Sequence, residues 1–353
     1  MKVWIDILTP KQALFFTPLA EELRNRGHKV ILTTRHYPEV EGVLHILGVE
    51  AEVIGRHGGE TLLGKLEASA ERIWKLAAYI SEQAPEVAVC FASPESARVA
   101  FGLGIPLFCV NDSPHSEKVA RLTIPLATTL LTPWVIPSYI WVKFGIPKSK
   151  VVSYRALDPA AWLKREVKPK IETKLNLIDR AKKVVAIRLE ESQAYYLTPD
   201  DLKWTISVID NIIKEASASS ILILARNSAQ RRTMKERYGE QITILEEEFF
   251  GPTLLKSIDA LVGMGGTMTV EAALMGIPSI SAQRIAKLYT EEYLIKKGLI
   301  LRPGKPEAVA KTVKEILRDT HLRTQIEAKA KKILNKMEDP IEKIASTIET
   351  AAK

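Results

Sequence analysis

At 353 residues, 46% of them hydrophobic and 26% charged, the chain has the ordinary composition of a soluble globular protein and is long enough to exceed one core and fill two domains. Its net charge of +8 favours anionic partners, but without a polybasic block it does not choose among nucleotide sugar, lipid headgroup and nucleic acid. The two cysteines, Cys90 and Cys109, sit in apolar strand-like runs, which excludes a disulfide framework and favours buried free thiols.

Short apolar runs alternate with helical segments throughout, a pattern that predicts parallel sheets with helices on both faces. The first half holds seven predicted strands, at 3–7, 30–33, 51–54, 87–91, 107–110, 129–132 and 151–153. The second half holds six, at 184–188, 221–225, 242–245, 260–262, 279–281 and 299–301. The expected fold class is therefore α/β, with two Rossmann-like, doubly wound domains at 1–165 and 166–353, joined through the polar, Lys-rich segment 164–183. Two such domains facing each other would leave a cleft at the carboxyl ends of both sheets, where ligands bind in folds of this kind. The stretch 306–353 is Ala/Lys/Glu-rich, helical in pattern, and broken in two by Pro340.

The N-terminus runs straight into the first strand with no signal-peptide pattern, and the expected location is cytoplasmic. After Asp6, the first loop offers Thr9, Lys11 and Gln12 as substrate contacts; Lys11 either meets a phosphate or acidic group or is a solvated helix-start lysine. The turn at 55–60 presents Arg56 and His57 to an acceptor or transferred sugar, although a lone loop His is often merely solvated. Within 110–121, Asp112 and His115 are candidate general bases and Arg121 a group to orient or neutralise. The competing reading is that Asp112 or Ser113 only caps a helix. Prolines 125, 133 and 137 break the apolar run 123–141 and argue against a spanning helix. Its aromatic part, from Trp134 to Trp141, either docks on lipid as a peripheral contact or packs against the sheet.

Arg188 and Arg226, at the ends of two strands, are placed to clamp a diphosphate by bidentate hydrogen bonds, with Asn227 beside them; surface salt bridges are the alternative. The most informative stretch is 263–278. Gly263, Gly265 and Gly266 let the backbone approach a ligand, and Thr267, Met268 and Thr269 open a helix whose positive end attracts an anion. Thr267 and Thr269 are expected to cap that helix or donate hydroxyls, and Glu271 to accept the hydroxyls of a ribose. The string is neither a nicotinamide fingerprint nor a Walker loop. The six His are scattered without a Cys/His cluster, so no metal site is expected, and no cofactor apart from a nucleotide sugar as substrate.

This string resembles the donor-nucleotide segment of GT-B glycosyltransferases and of non-hydrolysing UDP-N-acetylglucosamine 2-epimerases. The chain's opening, with Arg24, Gly27 and His28 followed by Val30 to Arg35, resembles the domain-of-unknown-function 354 family, a predicted glycosyltransferase-like group, and the likeness extends over nearly the whole chain. The resemblance implies a GT-B fold, recurring arginines at the positions of Arg188 and Arg226 with Asn227, and a nucleobase wall at Phe249 or Phe250. It also implies a last helix that crosses back to the N-terminal domain. The segment 110–121 loosely resembles an epimerase loop carrying a His, a Glu and an Arg. At the first loop the family's His-containing segment is replaced here by Lys11, Gln12 and Ala13, which puts His-based catalysis there in doubt.

The function so implied is metal-independent transfer of a sugar, UDP-linked in the leading reading, from the C-terminal domain to an unknown acceptor, lipid-linked acceptors included. A 2-epimerase and a non-catalytic nucleotide-sugar-binding protein are the alternatives. A nucleic-acid partner is not expected.

Overall fold

The computed structural model describes residues 1–59, 61–171, 182–190, 199–246, 248–284, 288–319 and 321–351. Glu60 of the cationic turn, residues 172–181 of the expected joint, residues 191–198 and Glu247 lie outside the described residues. The chain forms two compact units, one made of Met1–Glu172 with Met337–Lys353, the other of Thr173–Lys336.

Unit 1 begins β1 (Lys2–Ile7), α1 (Pro10–Asn25), β2 (Lys29–His36), α2 (Pro38–Leu47), β3 (Glu52–Arg56) and α3 (Leu62–Gln83). It continues with β4 (Val87–Phe91), α4 (Pro94–Gly102), β5 (Leu107–Val110), α5 (Glu117–Thr123), β6 (Thr129–Pro133), α6 (Ser138–Val142), β7 (Val151–Tyr154) and α7 (Ala160–Leu163). Its seven strands run in the order β3-β2-β1-β4-β5-β6-β7, all parallel. Unit 2 holds β8 (Val184–Arg188), α8 (Pro199–Glu215), β9 (Ser220–Leu224), α9 (Ser228–Tyr238), β10 (Thr243–Ile244) and α10 (Gly251–Lys256). Then come β11 (Ala260–Gly263), α11 (Thr267–Leu274), β12 (Ser279–Ser281), α12 (Tyr289–Lys296), β13 (Ile300–Leu301), α13 (Pro306–Arg318) and α14 (Leu322–Asn335). The sheet of unit 2 is also parallel, in the order β10-β9-β8-β11-β12-β13. Strand order therefore reverses between β1 and β4 in one unit and between β8 and β11 in the other, and such reversals open crevices at the strands' carboxyl ends.

The helical tail divides twice rather than once. A break after α13 precedes the expected one at Pro340, because the Asp319 carboxylate accepts hydrogen bonds from the His321 and Leu322 amides, at 2.9 and 3.0 Å, and starts α14 afresh. The last helix, α15 (Pro340–Ala351), belongs to unit 1. Its Ile341, Ile344 and Ile348 are fully buried, and Glu349 receives Arg26 and His28, each at 2.9 Å.

Trp141 is fully buried in α6 and Ile136 nearly so, Trp134 is half-buried and Tyr139 is exposed, so the aromatic run is divided between interior and surface. Among the described residues no helix is long and apolar enough to cross a membrane. Cys90 and Cys109 are buried free thiols on neighbouring strands, and the contact with Cys109 together with burial pushes the Cys90 thiol well above its ordinary range.

One buried charge ties unit 1 together. Asp6, at the end of β1, is fully buried and receives the Arg72 guanidinium of α3 through two hydrogen bonds of 2.6 and 3.1 Å. Thr33 of β2 donates at 2.7 Å, Ser93 before α4 at 3.0 Å, and Ser96 joins them. Arg72 also donates to the Ile54 carbonyl of β3 at 2.9 Å, so three strands, β1 to β3, and two helices meet around one carboxylate. Burial alone would raise the Asp6 pKa, but Arg72 and the hydroxyl donors outweigh it and hold the acid below its ordinary value.

Asp6→Ala, which strands the buried Arg72, is expected to destabilise the protein by about 3–5 kcal/mol, read as a lower urea midpoint. Glu71→Ala, which removes an exposed partner of Lys75, is expected to leave the midpoint unchanged.

Candidate functional site

In unit 2 the chain bends sharply between β11 and α11. Gly265 and Gly266 have φ of +117° and +98°, conformations that favour glycine, and Gly266 is the N-cap of α11 without a side-chain cap. The first amides of a helix have no acceptor within it, and they carry the positive end of its dipole. A β-carbon at Gly266 would stand 2.9 Å from Nη2 of Arg226, so the bend lies directly beneath that guanidinium. Thr267 and Met268 are half-buried at the helix start. Neither Thr267 nor Thr269 caps the helix as expected: the Thr269 hydroxyl is folded back over Gly263, where a β-carbon would approach it to 1.9 Å. That hydroxyl is buried with no hydrogen-bond partner among the described residues.

Arg188 and Arg226, at the ends of neighbouring strands, are partly engaged by main chain. Arg188 donates to the Leu224 and Ala225 carbonyls at 3.3 and 3.1 Å, and Arg226 Nε to the Leu189 carbonyl at 3.0 Å. The Asn227 side chain accepts from the Gln230 amide at 2.9 Å and caps α9. Glu271 is buried, and its Oε2 lies 3.3 Å from where a β-carbon on Gly251 would stand, at the start of α10. Phe250 is core, whereas Phe249 is half-buried against the same apolar cluster as Met268. Gln283, which no motif marked, lies beside the bend: its Cβ is 3.6 Å from a β-carbon placed on Gly265. Its amide donates to Glu291 at 2.8 Å and its buried oxygen has no partner among the described residues. Its position just past the carboxyl end of β12 was the available signal.

In unit 1 the sequence candidates separate. Lys11, at the start of α1, is neither solvated nor open to a phosphate: its ammonium lies 2.6 Å from Asp112 and 2.6 Å from Asp158, and 4.2 Å from the centre of the Phe91 ring. Tyr154 donates to Asp158 at 2.6 Å and Ser113 to Asp112 at 2.8 Å. Asp112 is thus an ion-pair partner and not a helix cap, and α5 begins only at Glu117. Asp158 and Tyr154 carried no motif; what marks them is their place at and beyond the end of the last strand of the sheet.

Thr9 caps α1 by accepting from the Gln12 amide, and Gln12 bridges the Leu8 amide at 2.6 Å and the Phe91 carbonyl at 3.1 Å. Both expected substrate contacts therefore hold the loop in shape. Arg121 is exposed on α5, with Glu117 at 3.9 Å. His57 stacks on Tyr37, with ring centres 4.7 Å apart, beside β3, and three strands separate β3 from β5 and Asp112. Among the described residues no group of three His, Cys, Asp or Glu is placed to hold a metal ion.

The two acids around Lys11 are driven apart. Burial pushes Asp158 up to about 7, assisted by the neighbouring Asp112 carboxylate and resisted by Lys11. Burial also opposes ionisation of Asp112, but Lys11 and its hydrogen bonds outweigh it and hold Asp112 at about 2. The same carboxylates overcome the burial of Lys11 and raise its pKa. His115 is lowered by burial, so its imidazole is neutral at neutral pH.

The whole chain, residues 1–353, matches the family described as Protein of unknown function (DUF354). The chain belongs to that family. It is 29% identical over 324 residues to the uncharacterized protein MJ0665 of Methanocaldococcus jannaschii, which covers 90% of this chain and 92% of that one. Among solved structures, the S. aureus MnaA–UDP co-structure is similar with a TM-score of 0.79 at 16% identity, covering 99% of this chain and 96% of that one. The UDP-GlcNAc 2-epimerase from Neisseria meningitidis bound to UDP-GlcNAc has a TM-score of 0.75 at 16% identity, covering 99% of both chains. The spinosyn forosaminyltransferase SpnP has a TM-score of 0.63 at 17% identity, covering 100% of this chain and 99% of the other. At such identities the likeness is one of fold, and the fold of this DUF354 chain is of the GT-B type.

The displaced acids fix the sign of a pH effect. Asp158, raised to about 7, contributes stability that is complete below its ordinary 3.8 and lost as pH rises through 7, whereas Asp112 contributes stability lost only as pH falls towards 2. Stability is therefore expected to decline between about pH 4 and 7 with a slope of up to about 1.4 kcal/mol per pH unit. Asp158→Asn should flatten that slope in urea titrations.

Proposed function

We propose that this chain is a glycosyltransferase that binds a UDP-linked sugar at the Gly265–Gly266 bend of unit 2 and transfers its glycosyl group to an acceptor hydroxyl. The observation that carries the reading is the bend itself: two glycines with positive φ, an uncapped helix start, and the Arg226 guanidinium directly over it. Helix amides and a guanidinium at one point suit a diphosphate, and they stabilise the charge that develops on a nucleoside-diphosphate leaving group. Glu271 is assigned to the ribose hydroxyls and Phe249 to the base.

In unit 1, His115 is the better candidate for general base. Asp112 is held at about 2 by Lys11 and is too weak a base, while the neutral imidazole of His115 can take a proton at neutral pH. The buried Lys11–Asp158–Tyr154 group then holds Asp112 in place beside it.

A second reading, sugar-nucleotide 2-epimerisation, is favoured by the Asp112–Asp158 pair. Two neighbouring carboxyls with widely separated proton affinities form an acid–base couple. Turnover of UDP-GlcNAc incubated alone would support this reading, whereas a requirement for an added acceptor would support transfer.

Thermal shift with UDP, GDP, dTDP and inorganic phosphate tests the binding step. UDP at about 100 times its Kd is expected to stabilise the protein by about 2.7 kcal/mol. Gly266→Val, which strains a φ of +98° and drives a side chain into Arg226, should abolish the response; Glu271→Ala should lose the preference for UDP over phosphate. Indifference of the unaltered protein to every nucleotide would sink the proposal.

A further inference from the structure

The carboxyl edge of the unit 1 sheet holds a cation that none of these roles uses. The β1–β2 ladder ends with Ile7 opposite Thr34, so Arg35 lies one residue past it. It sits at the register shift between Thr34 and His36, where β2 departs from regular pairing with β3. Asp6 itself is already met by Arg72, Thr33, Ser93 and Ser96 and has no need of Arg35.

The Arg35 guanidinium makes no hydrogen bond or ion pair among the described residues, and its Nε is buried without a partner. Glu95, which accepts from Ser93 at 3.4 Å, and Asp6 attract it, while Arg72 repels it. Below it lies the Tyr37 ring, 5.8 Å from the guanidinium carbon, and Tyr37 in turn stacks on His57 with the rings 19° apart. A guanidinium is always charged and carries five donors in a rigid fork, so a half-buried one with its Nε sealed off and no carboxylate on the fork is an arrangement that stability alone does not favour. Burial pulls its pKa down, the direction expected for a cation lacking its counter-ion.

We infer that Arg35, walled by Tyr37 and His57, is an oxyanion subsite separate from the nucleotide bend, built to take a phosphate ester or carboxylate carried by the second substrate. Its role in recognising an acceptor rests on the transfer reaction proposed above; the anion site itself does not. A phosphate ester and a carboxylate both present two oxygens to the fork, and the experiment separates them.

The test uses the full chain and Gly266→Val, the latter to remove anion binding at the bend, with glucose 6-phosphate, glucuronate and uncharged glucose as probes in thermal shift and calorimetry. At least one charged probe is expected to bind both proteins better than glucose, and to bind Arg35→Met at least about tenfold more weakly. Arg35→Lys should fall between, since an ammonium cannot fork. Without probe, Arg35→Met should melt at the same temperature or higher, because an unpaired buried charge has been removed. Charged probes that bind no better than glucose, or a lower melting temperature in Arg35→Met with anion binding intact, would overturn the inference. Failure to bind UDP would instead strike the nucleotide reading and leave the Arg35 result standing.

Discussion

A carboxylate sealed from water must find its partners inside the protein, and Asp6 does so by drawing β1, β2, β3, α3 and the turn before α4 to one point. Because a parallel sheet is buried on both faces, its edge is where charged side chains can stand, and here the edge is clamped from within. The short turn before α4 follows from the same demand. Ala92 adopts a φ of +49°, uncommon for a residue with a β-carbon, and this brings Ser93 round to both the acid and the Ser96 amide. With that corner fixed, β2 can carry Arg35 past the end of its neighbour, and Gln12 can hold the first loop so that Lys11 meets its two acids.

Unit 2 also uses main chain. Arg188 and Arg226 donate to carbonyls at the ends of neighbouring strands. The polar atoms of Thr269, Ser281 and Gln283, buried and without partners among the described residues, cluster along β11, β12 and the bend. The two units thus hold these cations differently: Lys11 sits between two carboxylates in one, while Arg188 and Arg226 donate to main-chain carbonyls in the other.

Strands were the most legible part of the sequence. The strands at 87–91, 107–110, 184–188 and 279–281 keep the limits read from the sequence, because a short run buried on both faces admits few polar interruptions. Legibility stops where partners are remote. Lys11 and Asp112 were visible as candidates, but their relation was not, since Asp158 enters from beyond the last strand. Arg72 looks like any helix-surface arginine until the fold carries it to an acid 66 residues away. Hydroxyls misled for a related reason: Thr269 has the residue type of a cap, yet the absence of a side chain on Gly263 gives it an inward seat, and the backbone of Gly266 takes the capping position.

Chain order adds a last consequence. The helix Pro340–Ala351 completes unit 1 although all of unit 2 intervenes, so the lobe begun first is finished last. During synthesis, β1 to β7 can pair while the flank of α1 that receives Ile341, Ile344 and Ile348 is still bare, and the second lobe can close before that flank is covered. The helix Pro340–Ala351 therefore acts as a clasp on the first lobe that can shut only after the second has been made.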